Sequence, residues 1–218
     1  PEFPPLTPVR GKIIENELGD FRLGGAELPQ ERKARYSAVR ERLAELTSRF
    51  SDNLLDATDA FAHVETDRAR LAGIPDDVLE TARKAAQDAK LEGWKLTLQM
   101  PCYFPVMQYA QDRSLREQMY RAYVTRAAEF GKPEWNNTPI IGEILKLRRE
   151  LANLLGFDNY AQYSLEPKMA ASPAQVLEFL RDLGKRAKPY AERDLGELKA
   201  FARSGLAVDD LQSWDIAF

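Results

Sequence analysis

The sequence has 218 residues, of which 44% are apolar and 30% charged, a balance that excludes a disordered or fibrous chain and suits one large domain or two small ones. Thirty-one Lys and Arg against 34 Asp and Glu leave a formal charge of −3, too small a field of one sign to gather nucleic acid or an anionic membrane. No run approaches the roughly 18 apolar residues of a membrane span, no basic-then-apolar leader opens the chain, and a single cysteine, Cys102, excludes an internal disulfide, so the expected compartment is the cytoplasm.

The chain opens "PEFPPLTP" without an initiator Met, and residues 1–5 read as a cloning remnant with a disordered start. Residues 6–218 read as one mainly α, multi-helix region, since no repeat, low-complexity tract or linker divides them. A first helix is expected over 8–19. Over 29–58, Tyr36, Val39, Leu43, Leu46, Phe50 and Leu54 recur in steps of three and four, which lays one apolar stripe along a long helix. "FAHVET", 61–66, is the best antiparallel partner for "WKLTLQM", 94–100, where apolar and polar residues alternate with the period of a half-buried strand. Between them a helix is predicted over 75–91, acidic early at Asp76, Asp77 and Glu80 and basic late at Arg83, Lys84 and Lys90, as its dipole favours. A further helix is expected over 112–129 and a loop over 131–139.

Residues 138–156 carry their own punctuation: Thr138 as cap, Pro139 at the first helical position and Gly156 as stop. "SPAQ" opens another helix, with Ser172 capping, Pro173 presetting the backbone and Gln175 placed for a capping box. Val176, Leu180, Leu183, Ala187, Tyr190, Leu198 and Phe201 keep helical phase to about 204, a length of roughly 45 Å at 1.5 Å per residue. The sequence ends "DDLQSWDIAF", where Asp209 and Asp210 are expected to open a short helical turn and Trp214 to anchor it on the long helix beginning near Ser172. So apolar an ending reads as a cut edge of a longer chain, since termini are usually polar and frayed.

Catalytic constellations are sparse. His63 is the only histidine, so no His-x-x-x-His pair exists; on its strand it reads as a hydrogen-bonding structural residue rather than a ligand. "LGG" at 23–25 lacks the Lys and Ser or Thr of a phosphate loop, and no G-x-S-x-G elbow occurs. The acidic pairs Asp76–Asp77 and Asp209–Asp210 sit where helices begin. Cys102 reads as a buried small hydrophobe. The aromatic run "CYFPVMQYA" suits core packing better than base stacking, and the arginines within 32–49 are interleaved with acids, which weakens a nucleic-acid reading. Residue chemistry alone therefore gives a helical globular chain with no evident active site, and leaves open a noncatalytic helical protein-interaction module.

Four stretches taken together go further. "DFRLGGAELPQERKARYSAVRERLAELTSRFSDNLLDAT" (20–58), "LAGIPDDVLETARKAAQDAKLEGWKLTLQMPCYFPVMQYAQDRSLREQMYRAYVTRA" (71–127), "LRRELANLLGFDNYAQYSLEPKMAASPAQVLEFLRDL" (147–183) and "LQSWDIAF" (211–218) resemble, in order and spacing, the zinc oligopeptidases of the thimet oligopeptidase and neurolysin family, nearest its bacterial members. The most specific part is "LLGFDNYAQYSL" followed by "KMA" and a Pro-initiated helix. The resemblance implies a longer, mostly helical cytoplasmic enzyme whose two lobes face a narrow channel admitting short peptides. It implies a zinc ion held by a His-Glu-x-x-His helix and a downstream Glu, all C-terminal of "WDIA". By that reading this chain holds no catalytic residue, no zinc ligand and no assignable substrate contact. It supplies scaffold and channel wall, binds no zinc itself, is inactive alone, and has the C-terminal catalytic region of the same polypeptide as its partner.

Overall fold

The computed structural model of the chain describes residues 7–218; the reading of 1–5 as a remnant lies outside them. In chain order the elements are α1 (Pro8–Leu23), α2 (Gln30–Asp59), β1 (His63–Glu65), α3 (Asp76–Asp88), β2 (Trp94–Leu96), α4 (Met100–Tyr109), α5 (Arg113–Val124), α6 (Thr138–Leu154), α7 (Tyr160–Leu165) and α8 (Pro173–Leu206), with 3-10 turns at Arg68–Leu71, Pro133–Trp135 and Ser213–Asp215. The class is mainly α, with one small antiparallel pair of strands, as the sequence implies. Among the described residues no helix is long and apolar enough to cross a membrane. The chain forms two compact units.

One unit comprises residues 7–48 and 140–192. In it the α2 stripe is buried at Tyr36, Val39 and Leu46, and the α6 stripe at Ile140, Leu147 and Leu151. Charge adds direction to that packing: Arg35 donates from Nε and Nη2 to Glu150 at 2.5 and 2.7 Å, and Arg42 from Nε and Nη2 to Glu143 at 2.7 and 3.0 Å. Helix α1 begins at its Thr7 cap and Pro8 but runs on to Leu23, beyond the expected end at 19. Gly11 and Gly19 both lie inside it. The turn comes at Gly24 and Gly25, where Tyr36 donates its hydroxyl to the Leu23 carbonyl at 2.9 Å. Helix α7, absent from the sequence-based expectation, is six residues long, too short to show a period. Asn159 caps it by accepting the Gln162 amide at 3.0 Å. In α8, Ser172 accepts the Gln175 amide at 3.2 Å, while the Gln175 side chain accepts from Ala171 N at 2.7 Å.

The other unit comprises 49–139 and 193–218. Its core is Leu71, Ile74, Leu79, Ala82, Leu96, Leu98, Tyr103, Val106, Met107, Ala110, Leu115 and Met119, drawn from the Arg68–Leu71 turn and the segment after it, α3, β2, α4, α5 and the connections between them. The strands pair His63 with Leu96, Val64 with Lys95 and Glu65 with Trp94. This sheet is shorter than the expected 61–66 and 94–100. Leu98 keeps the alternation and is buried, but β1 offers only three residues to pair, and from Met100 the run "MPCYFPVMQY" turns into α4. Two prolines in that run, Pro101 and Pro105, hid it from a helical reading. Helix α5 stops at Val124 instead of 129, because Ala127 adopts φ 52° and the chain turns so that Asn137 N reaches Ala127 O at 2.8 Å. The expected loop over 131–139 holds a 3-10 turn, and its Asn137 is buried, bonded to Asn53 at 2.9 Å and to Phe50 O at 2.9 Å.

The ending departs from expectation most. The turn is a 3-10 turn over Ser213–Asp215 opened by Gln212, not by Asp209 and Asp210. Trp214 packs on α5, not on α8: its ring meets Tyr120 edge-on at 6.0 Å and lies 5.0 Å from the Arg121 guanidinium. The apolar ring seeks the nearest desolvated aromatic surface, and the core cluster around α5 provides it.

Gly93, which turns the chain into β2, has φ 89°, and a Cβ there would stand 2.2 Å from the Glu65 carbonyl oxygen. Gly93→Ala should destabilise by at least roughly 1–3 kcal/mol from backbone strain alone, whereas Gly142→Ala, on an open face of α6, should gain about 0.5–1 kcal/mol. Urea midpoints of the two variants should move in opposite directions.

Candidate functional site

The most organised polar site in the chain is built on the first turn of α5. Arg113 and Arg116, one turn apart, converge on the carboxylate of Asp215, roughly a hundred residues later. Arg113 donates from Nη2 at 2.7 Å and from Nε at 3.0 and 3.1 Å; Arg116 donates from Nη2 at 2.9 Å. The Gln212 amide adds a fourth donor at 3.0 Å. Asp215 and Arg116 are 5% and 2% exposed, so this is a buried ion pair with a second cation at its rim. The same guanidiniums also fix backbone: Arg116 Nη1 holds Ala110 O at 2.6 Å and Nε holds Trp214 O at 3.2 Å, while Arg113 Nη2 holds Asp210 O at 2.7 Å. The Phe218 ring covers Arg116 at 3.9 Å. Burial pushes the Asp215 carboxyl up, but the hydrogen bonds from Arg113, Gln212 N and Arg116 outweigh it and hold the group below the usual carboxylate range.

A second chain of charge begins one residue before Arg113. Asp112 caps α5 by accepting Leu115 N at 3.0 Å on one oxygen and takes Arg70 Nε at 2.7 Å on the other; Arg70 Nη1 then reaches Glu65 at 2.7 Å. Glu65 also accepts the Thr66 and Asp67 amides, each at 2.9 Å. The Asp67 amide bond lowers its pKa most, against burial, with the charge of Arg70 and the Thr66 amide adding to it. Asp112 is raised by burial and lowered further by Arg70 and the Leu115 amide, so it too lies below its usual value.

His63 sits on β1; its Nε2 is buried, and the nearest Glu65 carboxylate oxygen is 3.6 Å away, longer than a regular hydrogen bond. Cys102 is half-buried, its sulfur accepting Thr97 N at 3.3 Å, and burial pushes its pKa up. It borders a cavity of about 300 Å³ with Asp77, Thr81, Lys95 and Gln99 on its wall. In the aromatic run Tyr103, Val106 and Met107 are core, while Phe104 and Tyr109 are about half exposed. Tyr103 stacks on Tyr123 at 4.1 Å, and Arg126 lies 3.5 Å from the Tyr123 ring centroid. Asp76 and Asp77 occupy the first turn of α3. Of the arginines within 32–49, Arg35 and Arg42 are neutralised by Glu150 and Glu143.

Chemically, these residues form two charge networks. Each buried carboxylate is saturated by guanidinium and amide donors, which leaves it a poor general base. Glu65, 3.6 Å from His63, already has both oxygens engaged, and among the described residues no group of three or more His, Cys, Asp or Glu could hold a metal. What the arrangement does is hold chain segments together. Sequence reasoning missed both networks, because Arg113 and Asp215 carry no local pattern that names the other.

Comparison with known proteins is specific. The sequence pattern described as "Peptidase family M3" matches residues 106–218. The chain is 48% identical over 215 residues to Oligopeptidase A of Salmonella typhimurium and 49% identical over 215 residues to Oligopeptidase A of Escherichia coli, in both cases across 98% of this chain and 32% of the relative. It is 32% identical to the dipeptidyl carboxypeptidase of Escherichia coli, across 95% of this chain and 30% of that enzyme. The chain therefore spans about a third of the length of these curated relatives.

Asp215→Asn should cost about 3–5 kcal/mol in urea unfolding at pH 7, since it strands a buried guanidinium. Depressed carboxyl groups contribute stability above their unfolded pKa values, near 4, and lose it as pH falls through the lower folded values. Stability of the parent chain should hold from pH 7 to about 5 and fall steeply below 4, whereas Asp215→Asn should show a shallower acid limb. An equally steep limb in the variant would exclude Asp215 as a source of the pH dependence.

Proposed function

The chain belongs to peptidase family M3, and on that premise we propose that it is one part of a zinc-dependent, cytoplasmic oligopeptidase that hydrolyses short peptides inside a narrow channel. The observation that carries this reading is the identity of 48–49% to two proteins named Oligopeptidase A, sustained over 98% of the chain. Within such an enzyme these residues supply scaffold and channel wall. They supply no zinc ligand: with a single histidine in 218 residues, a two-histidine zinc helix cannot form from them. The zinc, when bound by the rest of the polypeptide, polarises water for attack on the peptide carbonyl.

The physical case for a wall is stiffness. A passage that admits an extended peptide and excludes a folded domain must keep its width against thermal motion. Long helices with buried stripes, such as α2 and α6, bend less readily than loops. Guanidinium–carboxylate forks between helices add fixed geometry rather than much energy. Selection by length then needs no side-chain recognition from this region.

The full-length protein should cleave a quenched fluorescent peptide of about ten residues, roughly 33–36 Å when extended. A chelator should abolish cleavage and zinc restore it, while a folded protein substrate stays intact. The 218-residue chain alone should show no chelator-sensitive cleavage. Activity in this chain, or chelator-insensitive activity in the full-length protein, would remove the proposal.

A further inference from the structure

Helix α8 carries an apolar stripe that its own unit leaves uncovered. Between 173 and 192 no residue of α8 is buried, although Val176, Leu180, Leu183 and Ala187 recur at the spacing of one helical face. Leu180 and Leu183 are 53% and 52% exposed, and Leu177, beside them, is 49% exposed. Phe179 and Tyr190, at helical spacing from the same face, are exposed as well, while the i, i+4 pairs Asp182–Arg186 and Lys188–Glu192 lie at the surface. Such exposed pairs stabilise a helix only weakly. A helix this long draws most of its stability from packing its apolar face, so the face is designed to be covered.

We propose that the Val176–Leu180–Leu183–Ala187 face of α8 is the seat of another part of the same polypeptide, the part that lies outside this stretch in the relatives. The argument for this occupant is length. The relatives match α8 within an alignment of 215 residues that covers only 32% of each of them, so about two-thirds of each lies elsewhere. The span matched by the family pattern, residues 106–218, also includes α8, so the helix belongs to the shared part of the family. An apolar ridge of that remaining polypeptide would remove Leu180 and Leu183 from water, the transfer that drives apolar faces together. The inference rests on the oligopeptidase reading, because it takes the missing cover from the rest of that enzyme.

The test is thiol accessibility in a Cys102→Ser background. Leu180→Cys and Leu183→Cys, with Lys185→Cys on the opposite face as control, are made in the 218-residue chain and in the full-length protein, and their maleimide labelling rates are compared. Both leucine positions should label quickly in the short chain and on the order of tenfold or more slowly in the full-length protein, with Lys185→Cys equally fast in both. Equal rates at 180 and 183 in the two proteins would overturn the proposal. So would concentration-dependent protection within the short chain, which would make a second copy the occupant. Labelling is read without reference to catalysis: protection without chelator-sensitive cleavage would refute the peptidase reading alone, and cleavage without protection would refute only the docking.

Discussion

A buried carboxylate shared by two guanidiniums is the constraint on which the second unit turns. Asp215 takes donors from Arg113 and Arg116, and none of the three groups tolerates burial alone. Replacing such a cluster with apolar side chains is often neutral or stabilising, whereas breaking it is not. Its value is therefore directional. Arg116 simultaneously holds the carbonyl of Ala110, just beyond α4, and that of Trp214 in the final turn. Asp112, four residues earlier, caps α5 and holds Arg70, which in turn holds Glu65 on β1. One turn of α5 thus fixes a strand, a 3-10 turn, the end of α4 and the C-terminal segment.

The first unit uses a different device. Its stripes on α2 and α6 are apolar and local in sequence, and its ion pairs are partly exposed forks. These specify register between helices at small net energy. The contrast between a buried, networked lock and exposed, separable forks predicts nothing about chemistry. It does indicate where each unit resists local opening: at the lock in one, along the stripes in the other.

Much of the fold was legible because its signals are local. The long helices announced themselves by period and punctuation: Tyr36, Val39 and Leu46 on α2, Pro139 in the first turn of α6, Ser172 and Pro173 opening α8, although Thr138 lies inside α6 and gives its hydroxyl to Glu129 instead of capping it. The strand pair was legible through the alternation in "WKLTLQM", though its extent was not, since length is set by what the partner strand offers. Helices α4 and α7 were hidden, one by Pro101 and Pro105 and the other by brevity. The candidate site was the least legible part. Trp214 could be read as an anchor but not its partner, and Asp215 and Arg113 become a pair only through a fold that spans nearly half the sequence. His63 shows the same limit: its strand could be read, while the 3.6 Å gap to Glu65 is a property of packing.

The one thiol has a consequence of another kind. Cys102 accepts an amide hydrogen, is half-buried, and has its ionisation suppressed by desolvation. Thiolate is the species that attacks disulfides, peroxides and alkylating agents, so this sulfur is chemically quiet near neutral pH. With no second cysteine to resolve a sulfenic acid, these 218 residues lack the parts of an internal redox relay.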